Sequence, residues 1–562
     1  MTLAEDLIEA APAVIPQPSP LGLAPPQGRR GRRRAPAVAG ILAVVVGSVW
    51  ISGIGRSAVV NPQGWSQFSE FFAAAASPRL DGTFLRLTAD AAAITLGYAL
   101  LGTLLALSIG VALGIATADA WTRDDRPHPT TSALRRVLRS GLVPIRSVHE
   151  AIYALLLVRV LGINPLVAVL AIGVPFGAVT ARVFAQMLDD VEPEPFATLR
   201  SMGATRAQAM LYATIPIALR NLVSYAFYRF ECAIRSAAVL GVIGAAGLGY
   251  QIRLSFQSLR YDEIWTLLYA VILLSGASDF LSARVRAGSA KSGRTGRHWR
   301  PATWTVAVAV IVGTPVAWSQ LGIHLSTLWN GRATTAANRL FSELLPPEAA
   351  GGLGHVFDLA VETFAMAVLA AALATVGAVG IAFIAARRRR DPRGVIDGAR
   401  WWSVVLAWVA RVVLLLARAI PPPIWALVLL FVFFPGVVPG ALALSIYTFG
   451  VLGRLMAELV ENLDGAGADT LRASGASRAQ VFLYDRLPRV APGFAALGLY
   501  RWEVATRESV VVGIVAAGGL GYEINQQLAA FDYHALEGTR LALGAITTLA
   551  EVASTPLRRT LA

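Results

Sequence analysis

The chain has one cysteine, Cys232, among 562 residues, so no intrachain disulfide and no cysteine-based metal cluster can form. Lysine is as scarce: Lys291 stands alone, in "GSAKSG". A Walker A loop needs Gly-Lys-Ser/Thr, so the sequence has no such loop. Six histidines are scattered, with no HExxH and no paired spacing, which leaves them a structural reading. No catalytic residue, metal ligand or cofactor is therefore assigned. Charged residues make up only 15%, where about 25% is usual for soluble domains.

What is abundant is apolar. Hydrophobic residues account for 55% and the mean hydropathy is +0.58. Many apolar runs approach the length of about 20 residues that crosses a bilayer as a helix. An open sheet cannot span lipid, because its edge leaves backbone groups unpaired, and the alternating ten-residue strands of a barrel are missing. The expectation is an all-α polytopic membrane protein. The net charge of +14 is almost entirely arginine. These arginines sit in short loops beside apolar runs, which fits the positive-inside bias and not nucleic-acid binding.

The sequence also says things twice. "LRSMGATRAQAMLYATIP" holds Gly203, and "LRASGASRAQVFLYDRLP" holds Gly475, 272 positions later. The same offset carries Arg146 onto Arg418, Pro216 onto Pro488, Tyr228 onto Tyr500, Gly241 onto Gly513 and Gly249 onto Gly521. An offset that constant is a duplication. Six spans are expected near 37–54, 90–117, 141–161, 164–187, 218–249 and 263–284. Six more follow near 303–322, 360–386, 403–434, 438–460, 490–521 and 535–556. An even number per repeat makes the repeats parallel. The predicted organisation is a disordered Pro/Ala-rich basic tail (1–36), a first transmembrane domain (37–286), a basic linker (287–302) and a second transmembrane domain (303–562). "RRGRRR", "TRDDRPHPTTSALRRVLR", "RVRAGSAKSGRTGRHWR" and "RRRRDPR" all fall on one side of this count, so both termini are expected to be cytoplasmic. With no clear cleavage site after it, the first apolar run reads as retained.

Between the fourth and fifth spans of each half, on the arginine-rich side, the sequence reads short helix, Gly turn, second helix, then Pro. Leu199 with Met202, and Leu471, are expected to project away from the membrane. The plain alternative is an ordinary loop helix. The arrangement resembles the EAA loop of ABC importer permeases, whose fold is the type I, MetI-like one. In that family the loop docks on a cytoplasmic ATPase. The resemblance points to Ala197, Leu199, Arg200, Gly203, Ala204 and Pro216 in the first loop. In the second it points to Asp469, Leu471, Arg472, Gly475, Ala476 and Pro488. The acidic position of the family pattern is Asp469 in one loop and Ala197 in the other, so the two contacts with an ATPase are expected to differ. "YRFECAIRSAAVLGVIGAAGLGY" and "YRWEVATRESVVVGIVAAGGLGY", which follow, look like the phosphonate branch of these permeases.

Those last two stretches place charges inside apolar helices, at about 2.5–3.5 kcal/mol for each at mid-bilayer. Glu231 with Arg235, and Glu503 with Arg507, are four apart and can pair on one helix face. Arg229 and Arg501 are left over, with Glu508 a candidate partner for the second. One reading has the fifth spans meet at the pseudo-twofold axis and present guanidinium groups to an oxyanion in transit, since the planar fork suits such oxygens. A second makes the charges buried pairs that fix register. A third lets Arg229 snorkel to an interface. The glycines behind them, Gly247, Gly249, Gly519 and Gly521 among them, permit either close helix packing or an unwound backbone beside the translocation path.

The resemblance implies a non-enzymatic permease in a bacterial inner membrane. It implies two separate cytoplasmic ATPase subunits, an extracytoplasmic phosphonate-type binding protein, and a small phosphorus oxyanion as cargo. The rivals are an ion-coupled secondary transporter of six-plus-six helices, for which Glu231 and Glu503 are the candidate carboxylates, and a membrane enzyme, for which no clustered polar site is visible.

Overall fold

A computed structural model describes residues 31–55, 59–122, 129–291, 301–343, 346–386 and 401–561. Among the described residues every regular element is a helix, and the one β-type pairing is a bridge from Val60 to Phe433. Residues 1–30 of the expected tail, 292–300 of the expected linker and the arginine run at 387–393 lie outside the described residues. The first helix, Gly31–Ile51, takes in residues 31–36, so the end of the expected tail is helical.

All twelve expected spans fall on helices. Seven described helices are long and apolar enough to cross a membrane, and nine if each sharply bent pair is one span. The remainder fall short for visible reasons. Ala35–Ile51, Val308–Gln320 and Pro422–Val432 are shorter apolar pieces, and Tyr533–Leu561 carries Glu537, Arg540 and Glu551 within its length. The third span of the first half is broken: Ala133–Arg146 and Glu150–Leu161 meet at 84°, with His149 capping the second piece through Nδ1. In the second half the same break falls at Pro421–Pro423, three prolines that each lack the N–H a continuous helix needs.

The chain forms two compact units whose edges differ from those of the sequence repeats. One is Glu70–Pro346; the other is Thr2–Ser69 with Pro347–Ala562. The first-span helix of each half has thus changed places. Gly31–Ile51 lies along Gly352–Ala385 and Tyr533–Leu561, while Pro301–Gln320 lies along Gly82–Thr117, where Gly97 faces Leu321 and Ala317.

Each unit is organised around its second and fourth spans, which interlock through small residues. In the first unit Gly102, Gly110 and Gly114 of Gly82–Thr117 meet Ile172, Thr180 and Phe184 of Pro165–Asp189. Gly173 and Gly177 meet Leu105 and Ile109 in return. An added Cβ at any of these five would come within 3.0 Å of its neighbour, so the side chains are small because the helices are close. In the second unit Gly377 of Gly352–Ala385 faces Phe449, and Gly440 of Val437–Glu461 faces Met366.

The second spans end alike, but 268 positions apart instead of 272. Arg139 Nε donates to the Thr117 carbonyl at 3.0 Å, and Arg411 Nε donates to the Ala385 carbonyl at 2.8 Å. Four residues are therefore gained in the following loop, and the repeat runs in two registers.

Candidate functional site

Two features recur in both units: a bent elbow before the fifth span and a break after its charged stretch. The first elbow is helix Pro193–Ser201, Gly203 at φ +89°, helix Arg206–Ala209, a π turn over Met210–Thr214, then the fifth-span helix Ile215–Ile243 with Pro216 in its first turn. The second is Ala466–Ala473, Gly475 at φ +83°, Arg478–Val481, a π turn over Phe482–Arg486, then Leu487–Val512 with Pro488 in its first turn.

The bends have the same cause. Ala204 N–H bonds the Leu199 carbonyl and Gly203 N–H bonds the Arg200 carbonyl; Ala476 and Gly475 bond Leu471 and Arg472 in the same way. This paired closure ends a helix on a left-handed residue, which glycine supplies without strain. A Cβ on either glycine would meet nothing within 4 Å, so the requirement is purely one of backbone angle. The next helix starts on a reciprocal cap, Thr205 with Gln208 and Ser477 with Gln480.

Leu199 is half-buried. It packs on the cluster around Phe196 and Met210, and Leu471 is half-buried. The exposed apolar residues are Met202, Leu211, Tyr212, Leu483 and Tyr484. The Leu-Tyr pairs recur at the repeat offset, a signal visible in the sequence. Ala197 and Asp469 are both exposed, and Asp469 lies 3.4 Å from Arg472. In the first elbow Arg200 instead donates to the Ala204 carbonyl at 2.7 Å.

At the break, the chain turns at Gly247 (φ +106°) into helix Leu248–Gln257, and at Gly518 and Gly519 (φ +85° and +67°) into Gly519–Ala530. The two arms of each turn touch glycine to glycine. Cβ atoms on Gly241 and Gly513 would lie 2.8 Å and 2.9 Å from the Cα of Gly249 and Gly521. The restarted helix is held by a threonine from the second span: Leu248 N–H donates to Thr95 Oγ1 at 3.0 Å and Leu520 N–H to Thr363 Oγ1 at 2.9 Å. These threonines are absent from the sequence reading, because they sit 268 apart, in the other register.

The charges pair as their spacing predicts. Arg235 lies 3.3 Å from Glu231, and Arg507 lies 3.2 Å from Glu503. Glu503 also faces Arg558 at 3.6 Å and accepts from the Ser554 hydroxyl at 3.3 Å, both on the last span. Arg501, 7% exposed, reaches Glu508 at 3.1 Å, donates to Thr448 Oγ1 at 3.3 Å and lies over the Tyr447 ring.

Arg229 is different. Its Nε donates to the Tyr225 hydroxyl at 2.8 Å, and its guanidinium lies 4.8 Å from the Phe176 ring centre and 5.2 Å from that of Tyr225. No carboxylate pairs with it among the described residues. The repeat equivalent of Glu508 is Ser236, which donates to Glu150 at 2.6 Å, and Glu150 in turn stands where the second half has Pro422.

A family model described as "Binding-protein-dependent transport system inner membrane component" matches this chain twice, over residues 130–288 and 392–555. Each match contains one elbow and one charged fifth span. The chain is 26% identical over 440 residues to "Phosphate-import permease protein PhnE" of Mycolicibacterium smegmatis, covering 78% of this chain and 79% of that one. It is 34% identical over 254 residues to "Phosphite transport system permease protein PtxC" of Stutzerimonas stutzeri, covering 45% of this chain and 87% of that one. A solved chain of the MetNI methionine ABC transporter, in an inward-facing conformation, overlaps 36% of this chain and 94% of its own length at 19% identity. Its TM-score of 0.31 is too low to inform the fold.

Proposed function

The chain belongs to the binding-protein-dependent transport system inner membrane component family and carries its domain twice; from that premise we propose that it is the membrane permease of an ATP-driven importer of phosphorus oxyanions. The observation that carries this reading is the elbow, repeated once in each matched region with the same glycine closure and the same cap. Two such elbows give two sites for a nucleotide-hydrolysing partner, one ATPase subunit each. The residues offered to it are Ala197, Arg200, Gly203 and Ala204 in one elbow and Asp469, Arg472, Gly475 and Ala476 in the other, with Pro216 and Pro488 starting the spans behind them. Leu199 and Leu471 support the bends from beneath. A sequence without a Walker A loop draws its ATP hydrolysis from another chain. The chain transports and catalyses no reaction of its own.

Cargo follows from the relatives named for phosphate and phosphite import, and from chemistry. The fifth span of each unit brings guanidinium groups into an apolar helix, and guanidinium forks match tetrahedral oxyanions. Arg229, Glu231, Arg235, Gly247 and Gly249 in the first unit, and Arg501, Glu503, Arg507, Gly519 and Gly521 in the second, line or shape the path. An extracytoplasmic binding protein delivers the anion, the membrane is the bacterial inner membrane, and both termini are cytoplasmic.

The test is transport into proteoliposomes that hold the chain with its co-purified ATPase, ATP inside and binding protein outside. Uptake of labelled phosphate, phosphite or methylphosphonate should require internal ATP and survive collapse of proton and sodium gradients. Uptake driven by a gradient without ATP would establish an ion-coupled secondary transporter instead.

A further inference from the structure

We infer that the two repeats are unequal toward the anion, and that Arg229 alone of the repeated pair Arg229/Arg501 meets it. This rests on the oxyanion reading above and assigns its contact to one unit. Both repeats place an arginine at the same position of the fifth span, yet only the second supplies its countercharge. Arg501 is closed on three sides by Glu508, Thr448 and Tyr447. An arginine that already shares its charge with a half-buried carboxylate has little to offer a second anion.

Arg229 is held by a different set of contacts, all neutral. The guanidinium carbon lies over the Phe176 and Tyr225 rings, and the Tyr225 hydroxyl accepts from Nε. Both Nη atoms make no hydrogen bond among the described residues, and neither is sealed in the core. The two Nη atoms are thus the part of the fork left to meet two oxygens of a tetrahedral anion. Aromatic faces strengthen the case, because they orient a cation without neutralising it.

The carboxylate that could cancel Arg229 has been moved. Glu508 has become Ser236, and the nearest acid to that serine, Glu150, is engaged by its hydroxyl and lies 3.3 Å from His149. The other candidates are occupied. Arg235 is paired with Glu231, and Arg507 and Arg558 share Glu503.

The experiment compares Arg229→Gln, Arg229→Lys, Arg501→Gln and the double variant Arg501→Gln/Glu508→Gln, each in the full transporter. It reads uptake of labelled phosphate, phosphite and methylphosphonate, membrane level, and the Tm of the purified complex. Arg229→Gln should lower uptake about tenfold or more at wild-type membrane level and Tm. Arg229→Lys should recover part of it, because charge returns without the fork. Arg501→Gln should lower Tm and membrane level by stranding Glu508, and the added Glu508→Gln should restore both, with uptake well above that of Arg229→Gln. Wild-type uptake by Arg229→Gln overturns the proposal. So does a double variant at wild-type level that transports as poorly as Arg229→Gln. A wild-type transporter that takes up none of the three anions refutes the transport reading itself. In that case the Tm pattern still separates a coupled Arg501–Glu508 pair from a stabilising role for Arg229.

Discussion

Replacing Gly249 by alanine should disable the break in the first fifth span. The new Cβ would stand 1.9 Å from the Ala238 carbonyl oxygen and 2.8 Å from the Val242 nitrogen. Both are backbone atoms of a continuous helix, so no rotamer change relieves the overlap. The arms must separate by roughly 1 Å, and overpacking of a tight core costs about 1–3 kcal/mol where side chains can yield. Here nothing yields, so the upper end or beyond is expected. Separation of the arms also pulls Leu248 N–H from Thr95. Gly276→Ala is the control: it lies in the helix Tyr261–Lys291, and its Cβ meets nothing within 4 Å. It should be neutral or slightly stabilising, by about 0.5–1 kcal/mol. Fluorescence-detected size exclusion and thermal melting of the two variants give the comparison. A Gly249→Ala protein that melts with Gly276→Ala would refute the claim that the arms are locked in backbone contact. Gly521→Ala, 2.2 Å from the Val510 oxygen, should fail in parallel.

Thr95→Val and Thr363→Val keep shape but leave a buried amide unpaired, at about 1–3 kcal/mol each; hydrogen exchange at Leu248 and Leu520 should accelerate, and serine should restore protection. Gly203→Ala and Gly475→Ala meet no clash but strain a left-handed backbone by about 1–2 kcal/mol; membrane level should hold while ATPase co-purification falls. Asp81 caps the helix Gly82–Thr117, and bonds from the Thr83 hydroxyl, the Phe84 amide and Arg79 hold its carboxyl well below the usual range. Its folded-state value is depressed, so its contribution is whole above about pH 4 and fades as pH falls further; melting from about pH 6 to 3 should drop more steeply than in Asp81→Asn, which still caps. Because the first spans have changed places, residues 1–291 and 292–562 should accumulate in the membrane only when co-expressed, and stable accumulation of either alone would contradict the exchange.

The sequence revealed most of what depends on local chemistry. Elbows, spans and i,i+4 pairs follow from glycine, proline and charge at fixed spacing, so Gly203, Gly475, Glu231 and Arg235 were legible without coordinates. What it hid depends on distant segments. Thr95 and Thr363 were invisible because the loop after the second span gains four residues and breaks the register that marked every other match. The exchange of first spans was invisible because apolar helices carry no record of which neighbour they choose. The half-burial of Leu199 depends on its packing against Phe196 and Met210, which hydropathy does not encode.

The two units show which features a duplicated fold must keep and which it can lose. Backbone devices are retained in both: the glycine closures, the Thr/Gln and Ser/Gln caps, the Gly-Gly contacts and the threonine latches. Each is enforced by geometry, so a change in either copy costs that copy its shape. The charges have diverged. Glu508 has Ser236 as its counterpart, Glu150 has Pro422, and Arg501 and Arg229 differ in partner. A buried charge is expensive wherever it sits, so an arginine retained in an apolar helix without its carboxylate needs another source of stabilisation. Arg501 has that source within its own unit. For Arg229 the Phe176 and Tyr225 rings and the Tyr225 hydroxyl supply part of it, and on the proposed reading a bound anion adds to them.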